Sequence, residues 1–417
     1  MEKQNKFVKD MTKGNPMQLL IQFSLPLLVG NIFQQLYNMV DSIIVGNFVG
    51  ANALGAIGTT NSLNFFFFSL VAGLSVGIGI IVAQYFGFGD EEKVKDAIGN
   101  SIWIITICSV IMAIIGFVTA RPILVLLDTD PVILNDAVAY LKVVSIGIVC
   151  VGFYNGVSGI LRALGDSKTP LIFLIVASVL NVILDLIFVL SFGWGVVGAG
   201  VATAFSQLIS ALACIIYAYK SNTYFKLKKK NIKLNGNIIK KSCKLGIPVA
   251  LQNSLIAFSL IVLQKVVNGY GATFTTAFTV VSRIETLVQQ PFMSLGAAVS
   301  TYTGQNIGAG LKDRVRKGFN SATLVSSIFA LAIGVVFWIF APSIASIFGK
   351  DADVIRIGAN GLRITCCFYI FLGLIYTTRN VLNGAGDAMF SLFTGIVECI
   401  GSCLLYTSPS PRDYAAS

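Results

Sequence analysis

Eleven apolar stretches separated by short polar loops dominate the chain. They run at about 19–47, 53–83, 97–120, 132–160, 170–192, 196–219, 246–269, 273–303, 319–341, 357–383 and 388–404. Most reach the roughly 20 residues that an α-helix needs to cross a bilayer. Several run longer, so tilt, kinks or overhang are predicted. The loops alternate in charge. Lys3, Lys6, Lys9 and Lys13 precede the first stretch, Lys93 and Lys95 follow the second, and Arg162 and Lys168 follow the fourth. Lysines from Lys226 to Lys244 separate the sixth from the seventh, and Lys312, Arg314, Arg316 and Lys317 follow the eighth. The loops after the first, fifth and seventh stretches carry no Lys or Arg. Basic loops lie on the cytoplasmic side, which places the amino terminus there.

The two halves of the pattern repeat. "SLPLLVGN" at 24 matches "GIPVALQN" at 246, pairing Pro26 with Pro248. "AQYFGFGDEEKV" at 83 matches "GQNIGAGLKDRV" at 304, pairing Gln84 with Gln305 and Gly87 with Gly308. "LRALGD" at 161 matches "LNGAGD" at 382. The offsets are 222, 221 and 221 residues. They span an even number of helices, so both halves share one membrane orientation, the parallel kind of repeat found in secondary transporters. The predicted fold is an all-α integral membrane protein of two six-helix lobes related by a parallel repeat. Its predicted divisions are a cytoplasmic segment 1–18, an amino-terminal lobe 19–222, a basic linker 223–245 and a carboxyl-terminal lobe 246–404. The repeat calls for twelve helices and projects the last to about residue 440, so about eleven are expected here and the second lobe is expected to be incomplete. The polar ending "LYTSPSPRDYAAS" at 405–417 resembles a translated cloning or assembly scar and is set apart from the fold.

Composition supports the membrane reading. Hydrophobic residues make up 55% and charged residues 12%, about half the charge of a soluble domain. The net charge of +11 is accounted for by basic loops, so no nucleic-acid partner is expected. The chain has no His, which leaves carboxylates, Tyr or Lys for any proton relay. Its eight Cys show no metal-type spacing, and no phosphate-binding loop suggests direct ATP use. The composition implies neither an enzyme nor a resident cofactor.

Acidic residues within such stretches usually mark ion or substrate paths. Asp41 in "NMVDSIIVG" lies about 9 Å below the predicted outer end of its helix, and Asp185 and Thr203 fall at nearly the same level. Asn181 and Tyr37 each precede one of these aspartates by four residues, on the same helix face. Two carboxylates in one low-dielectric cavity, ringed by an amide, a hydroxyl and a phenol, bind a proton or a desolvated Na⁺. The alternative is that each simply hydrogen-bonds across a helix interface. The repeat mate of Asp41 is Leu263, so the site is not duplicated. Glu285, in "VSRIETLVQQP", either faces a cationic substrate or pairs with a base such as Lys265. Glu398 and Arg379 are expected to be paired or interfacial. Pro26 is expected to bend its helix, and Gly73, Gly77 and Gly79 to allow close helix packing.

The blocks "LPLLVGNIFQQLYNMVDSIIVG", "AQYFGFGD", "LRALGDSKTP", "NVILD" and "GVVGAGVATAFSQ" together resemble the multidrug and toxic compound extrusion (MATE) family, over residues 14 to about 403. The resemblance is closest to its DinF-like branch. It implies a multidrug efflux antiporter that exchanges Na⁺ or H⁺ for organic cations, in two lobes around a central cleft. It implies a multi-pass protein of the bacterial inner membrane, in contact with lipid and monomeric. It implies cation-coupling roles for Asp41, Asp185, Asn181, Thr203, Tyr37 and Tyr140, with Asp41, Asp185 and Asn181 as Na⁺ ligands if Na⁺ is the ion. The helix-4 Asn of that branch falls on Ser158, with Asn155 nearby, and these join Glu285 as expected cleft residues. The acidic residue of the other branch falls near Ile256, which is apolar. The competing expectation is a lipid-linked oligosaccharide flippase of the same superfamily, which calls for a more basic cavity.

Overall fold

The computed structural model describes the backbone of residues 8–348 and 351–407, and the side chains of these up to 401 apart from 261 and 265. Among the described residues there is helix and no strand. One lobe holds α1 (Pro16–Phe48), α2 (Ala51–Phe88), α3 (Glu91–Leu126), α4 (Pro131–Ala163), α5 (Lys168–Asp185) and α6 (Gly195–Ser221), with a π-helical turn, Leu186–Ser191, continuing α5. The other holds α7 (Gly236–Asn268), α8 (Ala272–Gly308), α9 (Lys312–Ser346), α10 (Ala352–Cys366), α11 (Tyr369–Ala385) and α12 (Met389–Thr407). Eight of these helices are long and apolar enough to cross a membrane, and the bent pair α10–α11 makes a ninth. α8 falls outside that group. It packs between the lobes and buries Gln290, Ser294, Thr301, Thr303, Gln305 and Asn306 there, a polar load suited to a cleft rather than to lipid.

Three boundaries depart from the hydropathy pattern. Helices overshoot the apolar runs because capped polar turns extend them beyond the hydrocarbon. Asp90 accepts the Lys93 N–H at 3.0 Å and starts α3 at Glu91 rather than 97. Asn235 accepts from Asn237 and Ile238 and starts α7 at Gly236 rather than 246, so the end of the basic segment 223–245 is helical. The single predicted stretch 357–383 is two helices that meet at 50°. No proline lies there. Instead Thr365 donates to the Leu362 carbonyl at 3.3 Å, and the Cys366 and Cys367 thiols to that of Arg363 at 3.2 and 3.3 Å. Side chains that bond back into the preceding turn compete with the helix ladder and bend it. At the carboxyl end, the first three residues of the segment 405–417 continue α12, and 408–417 lie outside the described residues.

The parallel repeat is visible in the backbone. Gly50 and Gly271, Gly89 and Gly310, and Gly165 and Gly386 all have positive φ, and the members of each pair are 221 residues apart. Each ends or begins a helix at an equivalent turn of the two lobes. The lobes meet where α2 packs on α7 and α1 on α8. A Cβ added at Gly73 would stand 2.5 Å from the Ala250 Cβ, and one at Gly77 would stand 2.6 Å from the Gly246 nitrogen. Glycine therefore sets how closely α2 approaches α7. The basic segment docks along α3. Trp103 donates to the Ile232 carbonyl at 2.8 Å, Asn231 to Asp96 at 2.7 Å, and Lys230 pairs with Glu92 at 2.7 Å.

Candidate functional site

Asp41 of α1 and Asp185, the last α-helical residue of α5, lie near the end of the molecule opposite the basic loops. Their carboxyl groups lie within hydrogen-bonding reach of each other, an approach that two carboxylates make stably only around a shared proton or cation. Asp185 is fully buried and Asp41 partly so. The Oδ1 atom of each is buried without a hydrogen-bond donor. Asn181, one turn before Asp185, orients the pair: with its amide turned to satisfy both of its groups, the nitrogen donates to Asp185 Oδ2 at 3.1 Å and the oxygen accepts the Thr203 N–H at 3.2 Å. The Tyr37 hydroxyl lies beside Thr203 and faces both aspartates. Tyr140 of α4 closes the cluster from the other side. An apolar shell covers it, with Ile44, Val45, Ile57, Val189, Val196 and Ala199 packed around Tyr140. The structure thus gathers Asp41, Asp185, Asn181, Thr203, Tyr37 and Tyr140 in one place. The π-helical turn directly after Asp185 had no signal in the hydropathy pattern. Such turns are frequent at functional sites, and this one sets where the helix carrying Asp185 ends.

Asn155 and Ser158 are not in this cluster. They follow Tyr140 on α4 by about 22 and 27 Å of helix rise. Asn155 donates to its own helix at the Val151 carbonyl, 2.8 Å away, and the Ser158 hydroxyl is buried beside Tyr154. Glu285 sits partly buried on α8 where α10 and α11 break apart, beside Thr365 and Tyr369. The side chain of Lys265, the base weighed as its partner, lies outside the described residues. Arg379 stacks over Tyr376 at 4.8 Å and attracts Glu398. Pro26 sits inside α1, which continues through it as one helix.

At the basic end the lobes are locked by a reciprocal contact. Gln84 Nε2 donates to the Gly384 carbonyl at 3.0 Å, and its repeat mate Gln305 donates to Ala163, the repeat mate of Gly384, at 2.9 Å. A Cβ at Gly87 would overlap the Gln305 carbonyl, and one at Gly308 would overlap that of Gln84. The sequence blocks displayed these four residues as matches without showing that they face each other. The amino-terminal segment adds to the lock. Gln305 Oε1 accepts the Met11 N–H at 2.8 Å, and Arg314 donates to the Gly14 carbonyl at 3.0 Å. Nearer mid-depth, Asn31 meets Ser294 at 3.1 Å and Ser69 meets Ser254 at 2.9 Å. Between these levels lies a cavity of about 230 Å³ lined by both lobes. Among the described residues, no hydrogen bond joins the lobes at the level of Asp41.

The MatE family model matches residues 26–187 and 248–403. The chain is 31% identical, over 93% of its length and 87% of the relative's, to the "Probable multidrug resistance protein YpnP" of Bacillus subtilis (strain 168). A solved structure described as the outward-facing conformation of a multidrug resistance MATE family transporter superposes with a TM-score of 0.88 at 26% identity, over 95% of this chain and 88% of that one. A MOP superfamily transporter from Pyrococcus furiosus has the same fold, with a TM-score of 0.90 at 24% identity over 98% and 92% of the two chains.

Proposed function

This chain belongs to the MatE family, and on that premise we propose that it is a multidrug efflux antiporter that exports organic cations and other xenobiotics in exchange for Na⁺ or H⁺. The multidrug-resistance names of its relatives support the efflux role. The observation that carries the coupling is the close carboxyl pair of Asp41 and Asp185, each with one buried oxygen that lacks a donor. With H⁺ as the coupling ion, the pair shares the proton. With Na⁺, the free carboxylate oxygens supply ligands together with the Asn181 side-chain oxygen, its amide turned over to face them, and the Thr203 and Tyr37 hydroxyls complete a shell of hard donors. Filling or emptying this site changes how α1 packs on α5 and α6, and so biases the lobes between their two orientations. Drug and cation then compete through that equilibrium, and each weakens the other's binding by the same factor.

The positive-inside rule places the basic end in the cytoplasm, in the bacterial inner membrane, with the protein acting as a monomer. In that orientation the Gln84–Gln305 lock closes the cytoplasmic side, and the described state faces outward. A transporter of this kind has no catalytic residue. The flippase reading draws on one feature, Arg162 at the inter-lobe cavity. The acidic pair in the amino-terminal lobe favours the antiporter. In proteoliposomes, Asp41→Asn is expected to abolish gradient-driven ethidium efflux. Efflux at the wild-type rate would sink the proposal.

A further inference from the structure

Arg162 is the penultimate residue of α4, and it faces the cavity of about 230 Å³ between the lobes. The cavity's polar lining is Asn31, Ser75, Ser294, Ser300, Thr301 and Asn380, besides Arg162 itself, and it contains no carboxylate. Among the described residues the guanidinium makes no hydrogen bond or ion pair. The nearest acid in sequence, Asp166, is committed elsewhere. Its Oδ1 accepts the Lys168 and Thr169 N–H groups at 3.1 and 2.9 Å, and its Oδ2 accepts the Thr169 hydroxyl at 2.6 Å. Gly159, one turn earlier, lies against the guanidinium: a Cβ there would stand 3.9 Å from Arg162 Nη2 and 3.4 Å from the Ser75 carbonyl oxygen. The repeat mate of Arg162 is Asn383, which accepts from Ser391 at 2.7 Å, so the equivalent position of the other lobe is an amide rather than a cation.

A guanidinium has five donors in a planar fork suited to oxyanions. Held inside a protein without a partner, it is expensive unless an anion joins it. We propose that this cavity binds a compact oxyanion, a carboxylate or phosphate group, on Arg162, with the hydroxyls of Ser300 and Thr301 and the amides of Asn31 and Asn380 as neutral donors. The site lies about 33 Å along α4 from Tyr140 and the aspartate pair, so it is separate from the cation site. Ala163, the next residue, accepts the Gln305 hydrogen bond. Opening the lock therefore exposes Arg162 to the side from which exported solutes load. An antiporter with both sites can accept zwitterions and acids as well as simple cations.

The test is direct binding to the chain in nanodiscs by isothermal titration calorimetry, with benzoate, inorganic phosphate and dioctanoyl phosphatidate as probes and benzyl alcohol as the neutral control. Arg162→Gln is expected to weaken binding of the anionic probes at least about tenfold, in line with the loss of a charge-assisted contact. Arg162→Lys is expected to retain most of it, and benzyl alcohol is expected not to distinguish the three proteins. Tightest binding of benzoate marks a solute carboxylate as the ligand, that of free phosphate an inorganic anion, and that of phosphatidate a lipid head group. Equal affinity of wild type and Arg162→Gln for all three anions, or no anion binding by wild type, overturns the proposal. Ethidium efflux measured on the same proteins keeps the readings apart. Efflux that depends on Asp41 together with a failed anion test leaves the antiporter standing without this site.

Discussion

Removing the Gln305 carboxamide is expected to open the basic end further than removing that of Gln84, although the two residues are repeat mates in the same clamp. Gln84 makes one bond across the lobes, to the Gly384 carbonyl. Gln305 makes the equivalent bond to Ala163 and also accepts the N–H of Met11, which is fully buried. One such bond contributes about 1 kcal/mol net, and a buried donor left without an acceptor adds roughly 1–3 kcal/mol. Gln84→Ala then shifts the closed–open equilibrium about fivefold, and Gln305→Ala, at about 2–4 kcal/mol, some 30- to 900-fold. Hydrogen–deuterium exchange on the chain in nanodiscs reads this shift. The informative amides are Gly165 and Asp166 in one lobe and Gly386 and Asp387 in the other, all hydrogen-bonded at the turns that the clamp covers. Their exchange should accelerate modestly in Gln84→Ala and strongly in Gln305→Ala. Equal acceleration, or a larger effect from Gln84→Ala, would refute the assignment of the extra tie to Met11.

The glycines of the same clamp should be intolerant. Gly87→Val and Gly308→Val each drive a side chain into the opposing glutamine's carbonyl, and a loss of thermal stability equivalent to roughly 1–3 kcal/mol is expected from overpacking. Gly334→Ala, with nothing near its Cβ position, should leave the melting temperature unchanged or raise it. Asp166, in the loop after α4, is held above the usual carboxylate range by burial, partly offset by the bonds from Thr169. Because its folded-state pKa is raised, the native state binds more protons than the unfolded state, and stability falls as pH rises from about 4 through that value. Melting curves from pH 4 to 7 should show this decline in wild type and a smaller one in Asp166→Asn. The same slope in both would contradict it.

The helices and the repeat were legible because both are carried by sums over many residues. Apolar runs fixed the spans, and three blocks at one offset fixed the lobes. The common level of Asp41, Asp185 and Thr203 along their helices followed from helix rise alone, and Asn181 from its four-residue spacing. What escaped depended on single contacts. The α10–α11 break arises from Thr365, Cys366 and Cys367 bonding backwards, residues with no breaker signature. The start of α7 at Gly236 depends on the Asn235 cap inside a run that charge alone marked as linker. Asn155 and Ser158, expected in the cleft, came from motif alignment, which carries no depth, and the rise of α4 sets their distance from the cluster. Arg162 entered the sequence reading only as a loop charge. Its isolation becomes visible once Asp166 is seen to spend its oxygens on Thr169 and Lys168.

The central claim is that the Asp41–Asp185 pair exchanges a cation for drug. The most direct test is to measure what ethidium displaces. Wild-type chain in nanodiscs is titrated with ethidium in lightly buffered solution containing a pH-sensitive dye, and in parallel after loading with ²²Na⁺. The account predicts release of about one H⁺ or one Na⁺ per ethidium bound, by reciprocal linkage, and none from the Asp41→Asn, Asp185→Asn double variant. Ethidium binding to wild type without release of either cation, or undiminished release from the double variant, would contradict it.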